Sequence, residues 1–167
     1  MANSNSNSFH STFSPQLRSD QKIIRFYHPA KPFGCFSNFS QHPIHLDGYD
    51  WPTTEHYFQA QKFEDLRLQD RVRLAATPKD AAKIGRDRKL PLRRDWEQVK
   101  DSVMLNALRE KFDKNKECQE ILLSTGDDYL IEDTTISGDA YWGCGKDGRG
   151  VNMLGKLLMQ VRDELNC

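Results

Sequence analysis

The chain opens on a short alternating stretch and then turns to a helical period for most of its length. Residues 22–27, KIIRFY, alternate and carry β-formers, which predicts an opening strand. The loop HPAKPFGCFSNFS comes next. After it, residues 43–51, PIHLDGYDW, read as a hairpin, because Asp47-Gly48 is a favoured two-residue turn. Apolar Leu68, Val72 and Ala75/Ala76 predict a helix over Leu66–Ala76. Thr77-Pro78-Lys79-Asp80 reads as a cap, with Pro at the first helical position and a carboxylate three residues after the cap. It starts a short helix, Pro78–Ile84, closed near Gly85. The longest helix, about Trp96–Asn115 with Asp95 as its cap, carries a broad stripe of Val99, Val103, Met104, Ala107, Leu108 and Phe112. A short helix over Glu117–Ser124 and a strand over Tyr129–Glu132 come next. The last helix, Val151–Leu165, has apolar residues at 151, 154, 158, 161 and 165.

The most informative segment is Trp51–Phe63, WPTTEHYFQAQKF. Thr53 or Thr54 can cap a helix by accepting from a first-turn N–H, and no Gly or Pro interrupts the run from Glu55 to Phe63. Glu55, Gln59 and Lys62 then share one face, with Ala60, Phe63 and nearby Phe58 on the apolar side. A solvated helix face is one reading of that polar stripe. The other is a site, in which the helix dipole keeps first-turn Glu55 ionised. Lys62 would stand ~10 Å further along the axis.

Composition narrows the setting. With 167 residues a single domain with one core is expected. The first 20 residues (MANSNSNSFHSTFSPQ at their start) are rich in Asn and Ser. They cannot bury enough apolar surface to order, so a disordered tail is expected before a domain over 21–167. Net charge is +0, so there is no bulk attraction to nucleic acid or to an anionic membrane. There is no run near the ~20 apolar residues of a membrane helix and no secretory signal pattern. The four cysteines, Cys35, Cys118, Cys144 and Cys167, form no C-x-x-C. Reduced thiols in an intracellular, cytoplasmic setting are the expectation, without a zinc site.

Other segments carry candidate chemistry. Ser37 and Asn38 stand between Phe33, Phe36 and Phe39, as packing filler or as a hydrogen-bonding pocket wall. The basic run Lys83, Arg86, Arg88, Lys89, Arg93, Arg94 is either a solvated loop or a phosphate-holding patch. Trp96 is a core anchor or a stacking platform. Asp139–Gly155, DAYWGCGKDGRGVNMLG, contains a G-x-G-x-x-G match at 143–148. A dinucleotide fold needs a further strand with an acid about 20 residues on, and the chain ends too soon. What survives is either a tight turn or a glycine-rich cradle for an anion ahead of a helix N-terminus. A ligand with a flat ring, a ribose and a phosphate would use all these parts. Tyr57, Trp96 and Trp142 would stack the ring, and Glu55, Asp139 and Asn38 would hold sugar hydroxyls or water. Arg86 and the glycine loop would take phosphate. A carboxylate stabilises the oxocarbenium-like state of glycoside cleavage, and a Lys amine can form a Schiff base with an opened sugar.

FSNF (36–39), WPTTEHYFQAQKF (51–63), GRDRKLPLRRDWE (85–97), DAYWGCG (139–145) and NMLG (152–155) resemble the NADAR domain family of YbiA-like N-glycosidases, over about residues 23–165. The resemblance implies an α+β fold, a helix-rich single domain with a small sheet and hairpin. It implies hydrolysis of N-glycosidic bonds of ribosyl compounds: phosphorylated riboflavin-pathway intermediates in some members, ADP-ribose on guanine in nucleic acid in others. The family's essential glutamate matches Glu55 and its helix lysine Lys62; Trp96, Asp139 and Trp142 match further motif positions. Cys144 departs from the small or acidic residue common at its position and is assigned no chemistry.

The candidate site is therefore Glu55, Lys62 and Asp139 as catalytic groups. Around them stand Phe36, Ser37, Asn38, Trp51, Tyr57, Gln59, Gly85, Arg86, Trp96, Tyr141, Trp142, Gly143, Gly145 and Asn152 as substrate contacts. No cofactor, metal, membrane or obligate protein partner is expected. The expected partner is an ADP-ribose or ribosyl-phosphate compound, with ADP-ribosylated DNA as a further one. Two other classes stand beside the hydrolase: a non-catalytic ADP-ribose or NAD reader, and a nucleic-acid binder using the 83–94 basic run.

Overall fold

The computed structural model describes residues 20–167. Residues 1–19, which hold nearly all of the expected tail, lie outside the described residues. The fold is α+β, as expected, with six helices and two small sheets among the described residues.

The opening strand is β1, Ile23–Phe26. The hairpin forms as read: β2, Ile44–Leu46, pairs antiparallel with β3, Tyr49–Trp51. Its turn places Asp47 (φ 55°) and Gly48 (φ 80°) in the left-handed region, which two-residue hairpins demand. Helix α1 is Thr54–Ala60, and the Thr53 hydroxyl accepts from the His56 N–H as its cap. Then come α2 (Leu66–Arg73), α3 (Pro78–Gly85), α4 (Trp96–Lys114) and α5 (Lys116–Ser124). Strand β4, Tyr129–Glu132, runs parallel to β1, with Phe26 opposite Glu132. The chain closes with α6, Met153–Leu165.

Several boundaries differ from the sequence reading, for local reasons. Helix α1 stops at Ala60, and Gln61 to Phe63 turn back on its last carbonyls. Lys62 therefore leaves the helix end instead of continuing its face. Asp95 does not cap α4; both its oxygens take the Arg93 guanidinium instead. Val151 is half-exposed and precedes α6, because Asn152 turns left-handed (φ 54°) at the cap.

Two apolar clusters meet at α4. One gathers Phe26, Phe36, Phe58, Trp96, Leu108, Phe112, Leu130, Leu154 and Leu158. The other gathers Ile44, Trp51, Tyr57, Ala60, Phe63 and Val72, and Val103 of α4 packs against both. Each Val, Leu, Ile or Phe side chain among them, fully buried, contributes roughly 1.5–3 kcal/mol. Helix α1 lies between the clusters and packs on α2, α3 and α4. All seven of its residues are buried, so its polar stripe is not a solvated face.

Candidate active site

The polar stripe of α1 faces a cavity of about 1410 Å³. Its floor is Glu55, Phe58 and Gln59, with Lys62 beside them. One wall is the 37–39 loop. A second is the side of α3 and the residue after it, with Lys79, Lys83 and Arg86. The third is the end of β4 and the loop beyond: Glu132, Thr134, Gly138, Asp139 and Trp142.

Local chemistry fixes each wall. Asn38 holds the start of α1: its carbonyl accepts from the Glu55 N–H at 3.1 Å, and its side-chain oxygen accepts from the Thr54 hydroxyl at 3.1 Å. Behind it, the fully buried Lys111 ammonium donates to the Ser37 carbonyl (3.0 Å) and the Ser40 hydroxyl (2.7 Å). Lys111 sits in the middle of the apolar stripe of α4, and nothing in that stripe signals an ammonium that pins a loop. Trp142 is held edge-on against Phe58, ring centroids 5.1 Å apart. Asp139 Oδ1 accepts from the backbone N–H groups of Tyr141 (2.9 Å) and Trp142 (2.8 Å), which shapes the loop and leaves the other oxygen for the cavity.

At the centre, Glu55 is 5% exposed and its Oε1 accepts from Gln59 Nε2 at 2.7 Å. Burial raises its pKa. The Gln59 hydrogen bond and the charges of Arg86 and Lys62 pull it back. The helix dipole is thus not what decides this group, and the expectation of a carboxylate kept ionised by its helix position is corrected: desolvation is the larger effect. Burial pushes the Lys62 amine down to about 8. The amine donates to the Gly85 carbonyl at 3.2 Å and lies over the rings of Phe58 and Trp96. Gly85 has no room for a side chain, since a Cβ there would run into the Gln59 amide. Gln59 Oε1 itself is buried without a hydrogen-bond partner.

Of the residues singled out from sequence, Glu55, Lys62, Asp139, Ser37, Asn38, Gln59, Arg86 and Trp142 line the cavity. The others stand behind it. Tyr57 is not a stacking platform: it is 5% exposed, packs edge-on against Trp51 and donates to Asp47 Oδ2 at 3.0 Å. Trp51 donates its indole N–H to the Leu46 carbonyl inside the same cluster. Trp96 and Phe36 are core, although Trp96 supports Phe58 and the Lys62 ammonium. Tyr141 turns away to donate to Asp101. The glycine loop is not an anion cradle. The N–H groups of Asn152, Met153 and Leu154 at the start of α6 already donate to the carbonyls of Gly143, Tyr141 and Trp142. Gly143 and Gly145 are buried within that packed loop. Asn152 Nδ2 donates to the Leu130 carbonyl (2.8 Å) and its Oδ1 accepts from the Glu132 N–H (3.0 Å). In the basic run, Arg93 is taken by Asp95, Arg88, Lys89 and Arg94 are exposed, and Lys83 and Arg86 reach the cavity. Cys144 is buried outside the cavity lining.

Sequence reasoning missed Glu132. It ends a strand whose alternation reads as ordinary, and only the parallel pairing with β1 brings it to the cavity. Burial pushes its carboxyl up to about 8, and the charges of Asp139 and Glu55 act the same way.

A family model described as the NADAR domain matches residues 25–166. The chain belongs to the NADAR family. Among its relatives, N-glycosidase YbiA of Escherichia coli K12 is 50% identical over 143 residues, covering 86% of this chain and 88% of YbiA. Riboflavin biosynthesis protein PYRR, chloroplastic, of Zea mays is 41% identical over 161 residues. That match covers 87% of this chain but 26% of the maize protein. The NMR structure of Escherichia coli YbiA superposes with a TM-score of 0.81 at 47% identity, over 92% of this chain and 90% of that one. Among the described residues no helix is long and apolar enough to cross a membrane, and no group of three or more His, Cys, Asp or Glu is arranged to hold a metal ion.

Proposed function

We propose that this cavity hydrolyses the N-glycosidic bond of a phosphorylated ribosylamino-pyrimidine. The chain is a hydrolase of N-glycosyl bonds, as its half-identical relatives named N-glycosidase are. The observation that carries the proposal is a buried carboxylate, Glu55, sharing one cavity with Lys62, Asp139 and the Arg86 guanidinium. The riboflavin biosynthesis names of two more distant relatives support the substrate class. Lysine and arginine side chains of the α3 wall take the 5-phosphate, for which a guanidinium is well matched. Trp142 gives a flat wall for the sugar or base. As the C1–N bond breaks, positive charge grows at C1 and the ring oxygen. The carboxylate form of Glu55, which Gln59, Arg86 and Lys62 favour against its burial, opposes it at close range. Gln59 fixes that carboxylate by its single hydrogen bond.

Lys62 supplies a covalent route. An amine brought down to about 8 is partly neutral near pH 7.5, so its lone pair can add to C1 of the ring-opened riboside, where the base nitrogen is held as an iminium. The C1–N bond to the base then breaks, the base leaves with a proton, and water later hydrolyses the Lys62 Schiff base that remains. Release of ADP-ribose from guanine is the second reading. A cavity of about 1410 Å³ exceeds the ~300–1,000 Å³ of ordinary ligand pockets and has room for a second nucleoside.

The test is incubation with ribosylaminopyrimidine 5-phosphate and with ADP-ribosylated guanine DNA, with base release monitored by chromatography. Wild type should release base from one of them, and E55Q should lose at least ~100-fold of that rate. Equal turnover by wild type and E55Q removes Glu55 from the chemistry. Binding of ADP-ribose without turnover on either substrate makes the protein a reader. Borohydride added during turnover should leave a sugar adduct on Lys62; without it, direct attack by water stands.

A further inference from the structure

We infer that Glu132 is the acid that gives the departing nitrogen its proton, a role that rests on the N-glycosidase reading of the cavity. The observation is a second glutamate lining the same cavity as Glu55, held by a rigid backbone, with no side-chain hydrogen bond or ion pair among the described residues. Its N–H is fixed by Asn152 Oδ1, and its carbonyl accepts from Thr134 and Cys144 N–H groups at 3.1 and 3.0 Å. The strand end is thus fixed, with the Glu132 side chain on the cavity lining.

Burial raises the pKa of both glutamates, but their neighbours differ. Glu55 has the Gln59 amide on one oxygen and Arg86 and Lys62 as cationic neighbours. Asp139 acts on both, but among the described residues Glu132 has no cation or amide to offset it, only Asp139 from the loop and Glu55 from α1. The cation on the paired strand, Arg25, goes to Asp133, 3.6 Å away. A carboxyl with only like charges and burial around it holds its proton, as a general acid must. Poor amine leaving groups need that proton, because nitrogen leaving as an anion is far too basic.

The step balances without any further reactant. The C1–N bond breaks and its electron pair stays on nitrogen, which takes the Glu132 proton. The cation at C1 and the ring oxygen is held by ionised Glu55. Water adds to C1 and gives a proton to Glu55, and exchange with solvent resets both carboxyls. In the Schiff-base route the same proton serves the same departing nitrogen.

The experiment is the pH dependence of kcat/KM for wild type, E132Q and E132D on whichever ribosyl substrate wild type cleaves. Wild type should lose activity above about pH 8 as Glu132 ionises. E132Q should lose ~100-fold or more in kcat with KM nearly unchanged, and its residual rate should lack that alkaline fall. E132D should recover part of the rate with the fall displaced. If E132Q does not fold, E132D and the wild-type profile decide alone. Wild-type kcat in a folded E132Q overturns the assignment, as does an alkaline fall that persists unmoved in both variants. Failure of wild type on every ribosyl substrate instead removes the underlying reading, a result distinct from either.

Discussion

Replacing Glu132 by Gln should make the protein more stable as pH rises, a direction opposite to that of most buried-site substitutions. In the folded protein the Glu132 carboxyl is pushed up to about 8, whereas in the unfolded chain it has its ordinary value near 4.5. Below pH 4.5 both states are protonated and the group has no effect on folding. Between 4.5 and 8 the unfolded chain ionises while the folded one holds its proton, so folding loses stability with each pH step. Above 8 the loss is complete. At about 1.36 kcal/mol per pH unit the full loss is roughly 5 kcal/mol, and about 3 kcal/mol of it falls between pH 5 and pH 7.5. Water in the open cavity screens the group, which brings the expected change over that interval to about 2–3 kcal/mol. Gln keeps the size and removes the charge. Urea melts of wild type and E132Q at pH 5, 6, 7 and 7.5 should show the difference growing in favour of the variant by that amount. At fixed pH above 7 this corresponds to roughly 5–10 °C in Tm. A difference that stays constant with pH would show that Glu132 ionises as easily folded as unfolded. The account of a proton-holding acid at the strand end would then be wrong.

Other substitutions probe the supports of the site. G85A places a methyl group on the Gln59 amide, so the hydrogen bond to Glu55 should break; kcat should fall ~10-fold or more, with a loss of ~1–3 kcal/mol from overpacking in chemical denaturation. N152A removes the bonds to Leu130 and Glu132 and leaves a Cβ at φ 54°. It should cost about 2–4 kcal/mol in denaturation, of which N152G recovers only the backbone part. Y57F deletes the bond to Asp47 and should cost ~0.5–1.5 kcal/mol without changing KM. A large KM effect would return Tyr57 to the substrate.

The elements were legible because each has a local signal. The Asp47-Gly48 turn, the Thr53 and Thr77 caps and the α4 stripe announce themselves within a few residues. The site was legible where polar residues interrupt an apolar helix, as Glu55 and Gln59 do. It was not legible where long-range pairing decides. Glu132 reaches the cavity only because β4 pairs with β1, more than a hundred residues earlier in the chain. Lys111 is a cation in a core stripe whose partners, Ser37 and Ser40, lie 74 and 71 residues away. Aromatic residues were over-read in the other direction. Tyr57, Trp51 and Trp96 have the chemistry to stack a base, but two small cores on either side of α1 need their bulk. The glycine loop looked open for the same reason: sequence shows the missing side chains but not the carbonyls that take the N–H groups at the start of α6.

The central claim is that a ribose sits with its anomeric carbon among the carboxyls of this cavity, and a structure with ribose 5-phosphate bound measures that directly. The account predicts C1 within contact of Glu55, Lys62 and Glu132, and the phosphate on the α3 wall at Arg86. A sugar bound outside the cavity, or one whose phosphate rather than C1 faces Glu55, would contradict it.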